Sequence, residues 1–555
     1  MYNYTVPLLN MTFTDDDRES IVKTLRDMCV TRVLLALSTY VFDKNEKEML
    51  LRTISDNTAF LKERGFEVGA WVWTFWDERE KSDFVRMRLT SGNESAQAVC
   101  PSDASFRRFA GDYIKDIAKC GVDLIVYDDD FRYGNLAGDM GCLCKNHLAF
   151  MSKEVGEPLT LEGVRPYLIS GGENKYRSAW QKSKRYYFEL FAREMREALD
   201  SVRPEVRLGV CSCYPNWDQD GMSTYEISKI LAGQTRPYLR LSAGPYWVTQ
   251  GLAEHRLADI VELTRMELSF CGGDTDAEIV SEGDPHPRPR WSVPAAYLEG
   301  FDTALRAAGG LSGMQKYSFD YGASHTYETG YNERHIKNLP LYRKIDEMFG
   351  DKTAIGVRVY KSLYEFEKTD IPEYLPDISS LQYSCFPYAA RLLSAANIPI
   401  VWEGTEGVGV AFGESAKYLS EEAIRSGLII DARAAEILTE RGVDVGLVSK
   451  SEHVEVCSEK FVETGERVGV FSSNAYATRA YRIEVRDGAR VESYFTPTGT
   501  SLLPLYSHSP EKYPSDHIIG SYFYENEDGE NSSYIPSTEP SYTARFSATT
   551  KEQIN

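Results

Sequence analysis

Three consecutive aspartates, Asp128, Asp129 and Asp130, follow a short apolar run containing Val122, Leu124, Ile125 and Val126. A glutamate, Glu282, ends a second such run in AEIVSEG. Adjacent anions repel one another, so an acid block at this position needs a purpose. Runs of this texture read as buried parallel strands, and their carboxyl ends carry the loops that form a concave polar surface over a packed core. Two carboxylates opposed across such a mouth meet the requirement for breaking a glycosidic bond. One must be protonated to donate to the leaving oxygen, and the other ionised to attack or to stabilise positive charge at the anomeric carbon. Repulsion and burial separate their pKa values. The competing reading is that Glu282 caps the next helix or pairs with Arg132, Arg288 or Arg290.

Aromatic and polar residues near other strand ends suit a sugar. Trp73, Trp76, Tyr246 and Trp247 offer ring faces for the C–H face of a pyranose, and Trp217 and Asn216 in YPNWD would join them. A second cluster is cysteine-based: Cys142, Cys144 and His147 form C-x-C-x-x-H in the loop after the acid block, and Cys100 precedes the helix before it. Three thiolates and an imidazole suit tetrahedral Zn²⁺, closed to solvent and therefore structural. The alternative is a pair of loop thiols and a solvated histidine. Cys29, Cys120, Cys211, Cys213 and Cys271 lie on or beside apolar runs and are expected in the core.

These residues need a scaffold, and the hydrophobic pattern supplies one. Strand-like runs at residues 4–13, 32–38, 67–76, 122–126, 207–213, 238–247, 277–282 and 314–319 alternate with amphipathic stretches. The helical stretches fall at 17–29, 46–63, 102–120, 178–202, 256–270, 293–308 and 332–348. Eight β-then-α units within residues 1–350 predict a (β/α)₈ TIM barrel, an α/β fold. Residues 351–449 read as a small α/β domain. Residues 450–555, with EHVEVC, RVGVFSS and YRIEVRD, read as a β-rich segment that stops past Ser532 without a terminal element.

Composition narrows the partners. A net charge of −21 over 555 residues argues against a nucleic-acid backbone. No apolar run approaches bilayer length, and the start MYNYTVPLLNMTF lacks the features of an export signal, so a cytoplasmic protein without a membrane partner is expected. Ten cysteines are too few for a disulfide scaffold of this size.

Cys100-Pro101, an acid-ended fourth strand followed by an aromatic and Gly, Cys142-x-Cys144-x-x-His147 before a helix, and a strand-seven Glu282 together resemble glycoside hydrolase family 42 β-galactosidases. The resemblance implies a retaining clan A barrel, a zinc held by Cys100, Cys142, Cys144 and His147, and a trimerisation-like α/β domain. It implies a homo-oligomer, trimer or dimer, whose subunits close the cleft over a carbohydrate substrate. It also implies Asp130 as general acid/base and Glu282 as nucleophile, with Asp128, Asp129 and Arg132 beside them. The sequence departs from that pattern at two points: Asp129-Asp130 stands where the family has Asn-Glu, and His147 replaces a fourth cysteine. An inverting galactoside phosphorylase and a non-catalytic sugar-binding barrel are the alternatives.

Overall fold

The computed structural model describes residues 2–37, 40–77, 82–134, 139–213, 216–245, 257–274, 276–286, 293–319, 330–363, 365–371, 388–404, 407–469, 478–497 and 518–535. The chain divides into two compact units, a first that ends at Thr353 and a second that begins at Ala354.

In the first unit eight parallel strands close into a barrel: β1 (Asn3–Leu9), β2 (Arg32–Ala36), β3 (Glu67–Val72), β4 (Leu124–Tyr127), β5 (Arg207–Cys211), β6 (Tyr238–Arg240), β7 (Glu278–Gly283) and β8 (Gly313–Lys316). Each strand pairs with its sequence neighbours, and β8 returns to β1 through Asn3 opposite Gly313. The TIM barrel read from the periodicity is therefore present. Helices follow at the expected places, among them Lys44–Glu63, Ala104–Lys119 and Lys175–Asp200. Their starts have a local cause: the Asp43 carboxylate accepts from the backbone N–H of Asn45 and Glu46, satisfying donors that a first helical turn leaves open.

Alternate strand residues face inward. Leu34, Ala36, Trp71, Leu124, Val126, Cys211, Tyr238, Val280 and Tyr317 fill the interior as one packed cluster. Bulk at Tyr238 requires its absence next door: a Cβ on Gly209 would lie 2.7 Å from the Tyr238 ring. Below this layer Arg32 meets Glu278 at 2.7 Å and Glu67 at 2.8 Å, while Arg207 meets Glu278 at 2.7 Å. Burial alone would raise the Glu278 carboxyl, but Arg32 and Arg207 outweigh it and hold it at about 2. The floor of the barrel is thus an ion-paired plug.

Some elements differ from the expected ones. An antiparallel hairpin, Arg86–Arg88 with Glu94–Val99, sits in the loop after β3. Helices Leu161–Leu168 and Thr224–Ala232 are additional, and the helix expected after the cysteine motif begins within it, at Lys145. The strand expected over 238–247 is confined to Tyr238–Arg240 among the described residues. Cys29 is exposed rather than packed, in a left-handed turn at φ 58° that follows the first helix.

The second unit is built on one 10-stranded sheet. Ile400–Val401, Val357–Val359, Gly409–Ala411 and Leu428–Ile430 run parallel, and Asn531–Tyr534 joins Leu428–Ile430 in parallel. Ile518–Glu525, Arg490–Pro497 and Leu447–Phe461 then continue it antiparallel. The boundary expected at 449/450 falls inside the strand Leu447–Phe461. The α/β part and the β-rich part share one sheet, because the chain returns at Asn531–Tyr534 to bridge them. The segment around Ser532 is therefore an interior strand and not a loose end; its Tyr534 ring stacks on Tyr522 at 5.0 Å. Among the described residues no helix is long and apolar enough to cross a membrane.

Candidate active site

Counting by two along each strand places the site. Leu124 and Val126 face the interior, so the next inward position is Asp128; Val280 leads likewise to Glu282, and Tyr238 to Arg240. Asp128, Arg240 and Glu282 therefore form the polar layer above the apolar core, at the carboxyl ends of β4, β6 and β7.

Glu282 is 5 % exposed. Arg240 Nη1 lies 3.1 Å from Glu282 Oε1 and donates to the Tyr317 hydroxyl at 2.5 Å. Glu282 Oε2 is buried and has no hydrogen-bond partner among the described residues. Burial is the largest influence on this carboxyl; Arg240 opposes it, Asp284, Asp129 and Asp128 add to it, and the balance stands at about 8. Burial, and then the Asp129 charge beside it, push Asp128 up to about 8 as well. Their titrations are linked, so at neutral pH the group of acids retains protons that belong to the cluster.

Asp130 is placed otherwise than expected. Its oxygens accept from three successive backbone amides, Thr74 N at 2.9 and 3.0 Å, Phe75 N at 2.7 Å and Trp76 N at 2.6 Å. Burial raises its carboxyl to about 6 against those amides. The acid read as general acid/base thus ties the loop after β3 to the loop after β4. The carboxylates that act on Glu282 from β4 are Asp128 and Asp129. Asp129 keeps 35 % of its side chain exposed and meets Arg132 Nη1 at 3.5 Å. Arg132 is itself fixed, with its guanidinium 4.9 Å from the centre of the Trp76 ring and Nη1 donating to Cys213 Sγ at 2.6 Å. Trp73 and Trp76 meet edge to face at 5.8 Å, both half-buried.

The cysteine cluster closes the neighbouring loops. Cys100, Cys142, Cys144 and His147 are all buried, and their ligand atoms lie within 4.8 Å of one another. Cys100 Sγ and Cys144 Sγ are 3.7 Å apart, close to the roughly 3.8 Å edge of a tetrahedron with Zn–S bonds of about 2.3 Å. The backbone N–H groups of Arg88 and Cys144 each donate to Cys142 Sγ at 3.4 Å. The thiols of Cys100 and Cys142 pull Cys144 far below the ordinary thiol range, while burial raises Cys100 and Cys142. Burial holds His147 neutral, at about 4. Its Nδ1 lies 3.0 Å from Ser183 Oγ, whose hydroxyl donates to the Trp180 carbonyl. Ser183 then accepts from Nδ1–H, which leaves the lone pair on Nε2, a buried atom without a partner among the described residues. The donor set fits a tetrahedral zinc.

The barrel, its acid layer and the cysteine cluster can be set beside solved structures. β-Galactosidases share this fold. The cold-adapted enzyme from Rahnella sp. R3 superposes with a TM-score of 0.62 at 11% identity, over 100% of this chain and 87% of that one. Gan42B, a family 42 β-galactosidase from G. stearothermophilus solved as its E323A catalytic mutant, gives 0.61 at 10%, over 100% and 86%. The β-galactosidase from Bacillus circulans sp. alkalophilus gives 0.59 at 12%, over 98% and 86%. No family model matches the sequence, and no curated protein sequence matches it.

Of the residues singled out in the sequence, the structure brings together Asp128, Asp129, Arg132 and Glu282, with Trp76 alongside. Asn216 opens the short helix Asn216–Gln219 after β5, and its side chain lies outside the described residues. Tyr246, Trp247, Arg288 and Arg290 also lie outside them. Trp217 is buried, with its ring 5.8 Å from Phe270. Sequence reasoning missed Arg240, Tyr317 and Asp284. Arg240 did leave a signal: an arginine within the apolar run YLRLS is costly to bury unless an anion waits for it.

Proposed function

We propose that this protein is a retaining glycoside hydrolase in which Glu282 is the nucleophile and Asp129 the general acid/base. The observation that carries this reading is Glu282, buried at the barrel mouth against Arg240, with the β4 acids acting on it. Arg240 forms its ion pair with Glu282, and its charge lowers the Glu282 carboxyl against burial. Asp129 donates a proton to the leaving oxygen as Glu282 attacks the anomeric carbon. It then takes a proton from the water that releases the sugar. Asp129 takes the role first read for Asp130 because both Asp130 oxygens already accept from backbone amides. Arg132 steers Asp129, and Trp73 and Trp76 offer their faces to the sugar. The shared β-galactosidase fold supports a β-galactoside-like substrate.

Zinc belongs to the same proposal. Cys100, Cys142, Cys144 and His147 Nε2 would hold it, and with four protein ligands it supplies no chemistry to the reaction, only closure of the loops. The homo-oligomer implied by the resemblance is likewise proposed, with mass in solution as its check.

A panel of aryl β-glycosides, assayed with and without inorganic phosphate, tests the reading. Turnover independent of phosphate and lost in Glu282→Gln is expected, and a 2-fluoro glycoside should label Glu282, seen by peptide mass. Phosphate-dependent cleavage would instead make it a phosphorylase. No turnover by wild type, with sugar binding unchanged in Glu282→Gln, would make it a binding protein.

A further inference from the structure

The cations at the mouth are unequally shared. Arg240 is engaged by Glu282 and Tyr317, and Arg132 by Cys213, Asp129 and the Trp76 face. Asp128 feels Arg240 only at a distance. Its carboxylate accepts one hydrogen bond, from the Asp129 N–H to Oδ1 at 2.7 Å, and among the described residues it forms no ion pair. A second observation points the same way: Glu282 Oε2, in a residue 5 % exposed, is buried without a donor among the described residues. Among the described residues, the layer therefore sets three carboxylates, Asp128, Asp129 and Glu282, against two arginines, Arg240 and Arg132. A sugar hydroxyl brings one donor and no charge, whereas an ammonium brings three donors and the missing charge.

We propose that the substrate is an amino sugar glycoside, whose free amine binds Asp128. The inference rests on the hydrolase reading above. Asp128 adjoins Asp129 in the chain and acts on Glu282 together with it. A group flanked by the two acids that bracket the anomeric carbon meets the substituent on the neighbouring ring carbon, so the amine is on carbon 2. An ammonium there converts like-charge repulsion between Asp128 and its neighbours into attraction. It is the substituent that this cluster discriminates best, because a half-buried carboxylate left unpaired by a neutral analogue costs binding.

The test compares aryl β-glycosides of the gluco and galacto series that differ only at carbon 2, as hydroxyl, free amine or acetamide, at pH 7. The amine should be cleaved with a kcat/KM at least tenfold above the hydroxyl and acetamide compounds in one series. Asp128→Asn should reduce the amine-to-hydroxyl ratio at least tenfold. Equal or better cleavage of the hydroxyl compounds by wild type overturns the inference, whether or not the variant folds. So does an acetamide cleaved as well as the amine, or a ratio unmoved in Asp128→Asn. If wild type cleaves none of them, the hydrolase reading falls separately, and calorimetry decides the amine. Glucosamine or galactosamine bound at least tenfold tighter than its parent sugar, with the preference lost in Asp128→Asn, sustains the Asp128 site. Any other binding result removes it.

Discussion

Arg240 is the residue whose replacement separates chemistry from packing. Its guanidinium is 1 % exposed and sits 3.1 Å from Glu282. Removing an opposite charge at that distance from a buried carboxyl raises its pKa by about 1 to 3 units, or about 1.4 to 4 kcal/mol. Glu282 starts at about 8 with Arg240 present, so in Arg240→Met it would titrate at about 9 to 11. The nucleophile must be ionised, so activity is lost as pH falls below this value. The acid limb of kcat/KM therefore moves upward by the same 1 to 3 units, and at pH 7 the loss is about ten- to a thousandfold. Much of it returns at high pH. Arg240→Lys keeps the charge and should move the limb less. The assay is a stopped aryl-glycoside assay across pH 5 to 10, with circular dichroism to confirm a folded barrel. A uniform fall at every pH, with the limb unmoved, would refute the argument and leave Arg240 a packing residue.

Three further outcomes are expected. Asp129→Asn should lower kcat by about 10²- to 10⁴-fold, least for activated leaving groups, whereas Asp130→Asn should chiefly cost about 1 to 3 kcal/mol of stability; equal activity losses in two folded variants would return the acid role to Asp130. Protein purified without chelator should carry about one zinc per chain by elemental mass spectrometry, lost with a lowered melting temperature in Cys144→Ser, and a zinc content near zero would remove the metal. Glu278→Gln should destabilise the barrel by about 3 to 5 kcal/mol in urea, since Arg32 and Arg207 lose their shared anion. The folded carboxyl at about 2 lies below its unfolded value. Its stabilisation is thus complete above about pH 5 and is lost as pH falls towards 2, an acid-sensitive phase that the variant should lack.

The barrel was legible because each strand buried on both faces is a continuous apolar run, and each helix following it has a different period. The hairpin Arg86–Arg88 with Glu94–Val99 was not, since its strands are short and carry charge on their exposed face. The unity of the second unit was hidden for another reason. Asn531–Tyr534 is polar, and what makes it a strand is the pair of open edges it finds, Leu428–Ile430 on one side and Ile518–Glu525 on the other. Within the site, Glu282 and the acid block were readable from their place at strand ends. Which of Asp129 and Asp130 faces the site was not readable, because both lie past the end of β4, in a loop whose path is not set by strand phase. Counting forward from Leu124 and Val126 fixes Asp128 as the inward position and leaves Asp130 to turn back towards β3.

That turn explains why a third aspartate is kept beside two others that repel it. By accepting from Thr74, Phe75 and Trp76, Asp130 fixes the backbone that carries Trp76. Trp76 in turn underlies the Arg132 guanidinium, and Arg132 reaches back to Asp129. The path leaves β4 at Asp130 and returns to it at Asp129, closing a ring through the neighbouring loop. Charge spread over three backbone donors disturbs its neighbours less than a free carboxylate would. The acid block therefore divides its labour by orientation, with one carboxylate facing the barrel axis, one meeting Arg132, and one holding the aromatic wall in register with them.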